Sequence, residues 1–329
     1  MNRREFLILL AGGSAPSIVW PLAAPAQQGK VWRIGFLETI AASQNAPNMD
    51  AFRQGMRERG YVERQNFVIE YRSADGRSER FPVLAAELVR LDVDLIVTRA
   101  TPAVIAAKNA TATIPIVMAA SGDPLGTGVV ASLARPGGNV TGLSGFTTDL
   151  LAKRLEILRE AIPGVKRIGL VHNMGNPIAP RQWQELKAAA PILGIEPLLF
   201  DVRNPDDLPR AFETAVAQRA DAIVVGNDTA INIKLAQVVE LAARHRLAAT
   251  YLAREFVDAG GLMMYGVNYS DLYRRAATFV DKIFKGAKPS ELPIEQPVKF
   301  DLIINLKAAK AIGLVVPETF LARADEVIE

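Results

Sequence analysis

Cysteine is absent from the 329 residues. That excludes disulfides, thiolate metal sites, a cysteine nucleophile and a lipid-modified N-terminal cysteine. Histidine occurs only at His172, which ends a strand, and His245, which lies in a helical stretch, so His172 is expected as a hydrogen-bonded residue and not as a metal ligand. No H-E-x-x-H, phosphate-loop lysine motif, G-x-G-x-x-G opening a helix or G-x-S-x-G elbow is present, so no hydrolase, nucleotidase or dehydrogenase signature stands in the chain. A Ser-His-Asp set can be assembled only on paper, from Ser144, His172 and Asp123 or Asp228. An exported α/β hydrolase is therefore a remote alternative, and the expectation is a protein without catalysis or cofactor. Charge of one sign is not concentrated either. The net charge is +3 with acids and bases interspersed, which excludes a basic stripe for nucleic acid and a polybasic membrane patch.

What is present is a large apolar fraction, half of all residues, in a chain longer than one ordinary domain, so two lobes are expected. Residues 1–26 read as a signal peptide: basic Arg3 and Arg4, an apolar stretch around Phe6–Ala11, and Ala24-Pro-Ala26 as a cleavage site. The apolar stretch is too short to span a bilayer. Arg3-Arg4-Glu5-Phe6-Leu7 also resembles a twin-arginine signal, and both export routes remain open. Removing Arg3, Arg4 and Glu5 takes the net charge to +2. The expectation is a soluble periplasmic protein, neither inserted in the membrane nor lipid-anchored.

From Trp32 onward, apolar runs of strand length alternate with helical periodicity. Strands are expected at 33–38, 66–72, 94–98, 114–118 and 139–143, with helices at 48–59, 78–90, 102–110 and a shorter one at 127–133. That rhythm implies a parallel sheet covered on both faces. The pattern then restarts. Lys166-Arg-Ile-Gly-Leu170 echoes Trp32-Arg-Ile-Gly-Phe36, and the run from Asp221 to Ile231 echoes Asp94 to Val104 without gaps, as a duplicated βα lobe would. Further strands are expected at 247–252 and 261–265. A helix at 270–285, a Pro-rich connector at 289–297 and a strand at 298–305 then carry the chain back across. The fold class expected is α/β: two Rossmann-like parallel-sheet lobes joined by a multi-strand hinge. Lobe 1 comprises residues 31–144 plus about 266–296, lobe 2 residues 145–265 plus about 297–329. Such a hinge lets lobes close on a ligand as rigid bodies.

Three segments carry a resemblance: Gly122-Asp123-Pro124, the run Leu133-Ala-Arg-Pro-Gly-Gly-Asn-Val-Thr-Gly-Leu-Ser144, and Ile304-Asn-Leu-Lys-Ala-Ala-Lys-Ala-Ile-Gly-Leu314. They are similar to signature segments of the ABC-transporter substrate-binding family that includes tryptophan- and tyrosine-binding proteins. Leu321-Ala-Arg-Ala-Asp-Glu-Val327 resembles that family's ending. The resemblance implies a type I periplasmic-binding fold that holds a small-molecule ligand between its lobes. It also implies a monomer that docks, when loaded, on the transmembrane subunits of an ABC permease. A soluble sensor handing occupancy to a membrane receptor shares the fold and the cleft, differs in which lobe surfaces dock a partner, and stays open as the alternative.

Cleft candidates follow, each beside a structural alternative. Thr101 with Pro102 opens a helix whose N-terminus could receive a carboxylate, or is a plain cap. Asp123 could accept from a ligand ammonium, or cap the turn that follows. Ser144 is a hinge residue or a contact, and Phe146 a stacking ring or hinge packing. In the second half, Asn173, Asn176, Asn227 and Asp228 follow strand ends, with Asp228 also a plausible helix cap. The family often has Tyr-Asn where this chain has His172-Asn173, which puts an identical ligand set in doubt. Glu38, Tyr251 and Tyr265 end strands, and of these Glu38 and Tyr265 enter the candidate set.

Overall fold

A computed structural model describes residues 30–145 and 150–329. The signal peptide and Phe146 lie outside the described residues.

The first layer contains β1 (Trp32–Glu38), α1 (Ala46–Arg57), β2 (Phe67–Ser73), α2 (Phe81–Arg90), β3 (Leu95–Arg99), α3 (Thr101–Ala110), β4 (Ile116–Ser121) and β5 (Val140–Ser144). Its five strands pair in the order β2-β1-β3-β4-β5, all parallel. β3, β4 and β5 are buried along their whole length, as expected for parallel strands covered on both faces.

The second layer follows: α4 (Leu150–Ala161), β6 (Arg167–His172), α5 (Ala179–Ile192), β7 (Glu196–Asp201), α6 (Leu208–Ala217), β8 (Ala222–Val225), α7 (Thr229–Asn232), α8 (Leu235–Arg244), β9 (Ala248–Tyr251), α9 (Arg254–Asp258) and β10 (Met263–Gly266). The chain then forms α10 (Tyr269–Phe284), β11 (Asp301–Asn305), α11 (Leu306–Ile312), α12 (Glu318–Leu321) and β12 (Glu326–Ile328). The second sheet runs β12-β11-β10-β9-β8-β6-β7, with β11 antiparallel to β10. Each sheet has an apolar cluster on both faces: Phe36, Phe52 and Tyr273 on one side of the first and Leu37, Phe81 and Leu88 on the other. In the second sheet, Phe212 and Tyr251 lie on one side and Leu155 and Phe320 on the other.

The chain crosses between the layers three times. It passes first between β5 and α4. It then returns after β10, because α10 packs on α1 and the first sheet. This contact is close: a Cβ on Gly55 of α1 would stand 2.4 Å from the Arg274 carbonyl oxygen of α10. Asn268 caps α10 by accepting from the Asp271 N–H at 3.0 Å. The segment after α10 then lies along β5, where Glu295 N–H donates to Gly142 (2.9 Å) and Ser144 N–H donates to Glu295 (2.9 Å), before β11 joins the second sheet.

The sequence expectation of a helix at 127–133 fails. After Pro124 the chain makes one turn, held by Gly126 N–H to Asp123 Oδ1 (2.8 Å), and Gly128 then takes φ +70°. That conformation ends a right-handed helix. Lys108 from α3 caps the freed carbonyls of Gly128 and Val129, and Val129 and Val130 plug the core as irregular chain. The short C-terminal strand β12 was not expected either, since its three residues carry no pattern of their own.

Candidate ligand-binding site

In an open parallel sheet, ligands bind outside the carboxyl ends of the strands where strand order reverses. The first sheet reverses between β1 and β3, whose last residues are Glu38 and Arg99. The second reverses between β6 and β8, which end at His172 and Val225, just before Asn227-Asp228. These two reversals face one cavity of about 330 Å³. The first layer contributes Ile40, Gln44 and Arg99; the second contributes Asn227, Ile233, Glu255 and Phe256 among others; Tyr269 stands between them at the start of α10.

Arg99 is aimed by its backbone. The β3–β4 register shifts between Thr98 and Arg99. The next residue, Ala100, takes φ +71° and ψ 141°, a conformation that costs a residue with a Cβ on the order of 1–3 kcal/mol. Arg99 is 6 % exposed, and its Nη2 donates to Thr39 Oγ1 at 3.1 Å. Its Nε faces Glu38 Oε2 at 3.8 Å, and its guanidinium carbon lies 5.3 Å above the Tyr269 ring and 5.9 Å from that of Tyr273. Burial alone would lower the Arg99 pKa, but the neighbouring Tyr273, Glu38, Tyr269 and Glu255 together outweigh it and raise it. Glu38 is fully buried behind Arg99 and accepts from Tyr273 Oη at 2.5 Å. Burial raises its pKa in spite of Arg99 and that hydrogen bond.

On the opposite wall, Asp228 caps α7, accepting from Ala230 N–H at 2.9 Å, and receives the amides of Asn173 (3.2 Å) and Asn176 (2.9 Å). This carboxylate therefore organises the two loops that follow β6 and β8, and its oxygens are already occupied. Beneath it His172 is buried against Gly226, where a Cβ would stand 2.1 Å from the ring. Burial lowers the His172 pKa, with Asp228 pulling the other way. Arg154, on α4, spans β8 and β9 by donating to the Val225 (2.9 Å) and Thr250 (2.5 Å) carbonyls.

Of the sequence candidates, Asn227 lines the cavity and donates through Nδ2 to Tyr269 Oη at 2.7 Å, a bond between the layers. Thr101 and Asn176 line a small adjoining recess with Ser121, Gly122 and Gly145. Asn173 and Asp228 stand behind this surface as its supports. Other candidates are placed elsewhere. Asp123 does not face the cavity; it forms a 2.5 Å salt bridge to Arg181 of α5, across the cleft. Pro102 is the proline of the first turn of α3 and outside the lining. Ser144 is tied by its backbone to the hinge segment. Tyr265 packs against Phe300 (centroids 6.0 Å) and the second-sheet core, because its side chain leaves the sheet on the face away from the cavity. Sequence reasoning missed Arg99, Tyr269, Gln44 and Glu255. Arg99 alone left a signal, a charged residue ending an apolar run two positions before the Thr-Pro helix start.

A family model described as ABC transporter substrate binding protein matches residues 36–328. The chain belongs to this family. It is 26% identical over 272 residues to a tyrosine-binding protein of Clostridioides difficile (strain R20291), covering 82% of this chain and 78% of the relative. Among solved structures, an ABC domain from Streptococcus pneumonia in complex with L-Trp is 28% identical, with TM-score 0.83, covering 91% of this chain and all of that one. The ligand-free, open structure of a substrate-binding protein with adhesive properties from Clostridium difficile is 25% identical, with TM-score 0.65, covering 91% and 99%. The fold is the type I periplasmic-binding fold, and the chain superposes better on the ligand-bound relative than on the open one. Among the described residues no helix is long and apolar enough to cross a membrane.

Proposed function

We propose that this substrate-binding protein takes a small zwitterionic ligand, an aromatic amino acid or a near relative, between its two lobes and delivers it outside the cytoplasm to the transmembrane subunits of an ABC permease. The observation that carries the reading is the cavity itself. Both layers line it, its volume suits an amino-acid-sized molecule, and it combines one buried cation, one carboxylate and an apolar wall. The tyrosine- and tryptophan-binding relatives support the ligand class. Lobe 1 is residues 31–144 plus about 266–296 and lobe 2 is residues 145–265 plus about 297–329, in keeping with α10 packing on α1 and β11 joining the second sheet. Closure needs no chemistry: a ligand touching both lobes favours the closed form by its differential affinity.

A thermal-shift screen of the purified protein against the amino acids, aromatic acids, nucleosides and sugars tests this reading. A ligand that binds only the folded state raises the melting temperature by mass action. The expected result is a shift with aromatic amino acids. A shift confined to sugars or nucleosides contradicts the ligand class, and no shift at all contradicts the transport reading.

A further inference from the structure

The sequence leaves two readings of Thr101 open, a carboxylate receptor at the N-terminus of α3 or a plain cap. The structure favours a different end of the cavity. The recess formed by Thr101, Ser121, Gly122, Gly145 and Asn176 has a volume of about 10 Å³, room for about one water molecule and not for a carboxylate. Its groups also satisfy one another: Thr101 Oγ1 accepts from Gly122 N–H at 3.3 Å and sits 3.4 Å from Ser121 Oγ. Arg99, by contrast, lines the large compartment. Thr39 takes its Nη2 and Glu38 faces its Nε, while Nη1 makes no hydrogen bond among the described residues. Tyr269 stands at the junction, lining both this compartment and the small recess, and its oxygen accepts from Asn227, which leaves the phenolic hydrogen to donate.

We infer that Arg99 Nη1 and the Tyr269 hydroxyl are the specificity-determining anion receptor of this protein, holding the carboxylate of the ligand, with Thr101 serving as a helix start. This rests on the reading of the protein as an amino-acid-binding component and says which groups select the ligand. Two consequences follow from the geometry. Arg99 comes from β3 and Tyr269 from α10, so both groups of the receptor stand on the first lobe, and the Asn227–Tyr269 bond is what links that receptor to the second layer. The guanidinium of Arg99 is held by Thr39, Glu38 and two aromatic rings, so the receptor is pre-formed and little ordering opposes binding.

The test is calorimetric titration of the full purified protein with L-tryptophan, L-tyrosine, indole-3-propionate (carboxylate without amine) and tryptamine (amine without carboxylate). Four proteins are compared: wild type, Arg99→Met, Tyr269→Phe and Thr101→Val. Losing a charge-assisted hydrogen bond should weaken binding roughly tenfold or more. Arg99→Met is expected to lose that much for every carboxylate probe while changing tryptamine less than about threefold, and Tyr269→Phe is expected to show a smaller loss of the same selectivity. Thr101→Val should stay within about threefold of wild type for all four probes. Should Arg99→Met strand Glu38 and fail to fold, the double variant Arg99→Met/Glu38→Gln removes the stranded carboxylate and is judged by the same criterion. Retained tryptophan and tyrosine affinity without Arg99 overturns the assignment and leaves the proposed function standing, as does a tenfold loss on Thr101→Val. Wild type binding none of the four probes overturns the amino-acid reading and this assignment with it.

Discussion

Glu38 is a carboxylate with no access to water, held between a guanidinium 3.8 Å away and a phenol at 2.5 Å. Burial dominates and raises its pKa above the ordinary 4.5. The folded protein therefore keeps a proton on Glu38 at pH values where the unfolded chain has released it. Its contribution to stability is full below pH 4.5 and is lost as pH rises through the folded-state value. Urea denaturation at steps from pH 4.5 to 7.5 should show the stability of wild type relative to Glu38→Gln falling as pH rises; a rising difference contradicts the burial-dominated account. One residue beyond Arg99, Ala100 at φ +71° offers a second check. Ala100→Gly removes the Cβ strain, worth on the order of 1–3 kcal/mol, against a cost of roughly 0.4–1 kcal/mol from the freer unfolded chain. A net gain of about 1 kcal/mol is expected by the same method. At this scale the sequence was partly legible. Asn227, Asn176 and Thr101 reach the cleft surface, while Asp228 and Asn173 are close but serve as supports. Arg99 was marked as a charge at the end of an apolar run, but its aim into the cavity was hidden, because strand-end direction depends on a bulge and a positive φ, neither of which leaves a compositional mark at an alanine.

At the scale of elements, the contact of α1 with α10 binds a helix from the far end of the chain into the first lobe. Helix propensity favours alanine over glycine at Gly55 by roughly 1 kcal/mol. The added Cβ would stand 2.4 Å from the backbone oxygen of Arg274 and 2.9 Å from Ala277 Cβ, so overpacking of about 1–3 kcal/mol should win. Gly55→Ala is expected to lower the melting temperature, and an unchanged or higher value would mean that the helices separate at no cost. The alternation of buried strands and amphipathic helices was readable because apolar periodicity is a local property. The failed helix at 127–133 shows the limit. Its apolar residues have helical spacing, yet Gly128 leaves the right-handed region and Lys108, distant in sequence, satisfies the carbonyls. β12 escaped for the same reason: it is a strand only because β11 lies beside it.

For the whole molecule, three polar contacts span the cleft among the described residues: Asp123–Arg181, Asn227–Tyr269, and Asn48 to Glu255 at 3.4 Å. Arg181 is more than half exposed, so its bridge should contribute only about 0.2–1 kcal/mol to closure. Arg181→Ala is accordingly expected to weaken ligand binding by no more than about fivefold, with the difference vanishing at high salt. A larger, salt-independent loss would mean that Arg181 contacts the ligand itself. Duplication of the lobes was legible in the paired segments around Trp32 and Lys166, but the juxtaposition of Arg99 with Tyr269 was not, because 170 positions separate them and only the return of α10 brings them together. The most direct measurement of the central claim is calorimetric titration of L-tryptophan and L-tyrosine into the purified protein at several temperatures. The account predicts one-to-one binding with a negative heat-capacity change, the mark of an apolar ring buried between closing lobes. Absence of binding by either amino acid, or binding without that heat-capacity change, would contradict it.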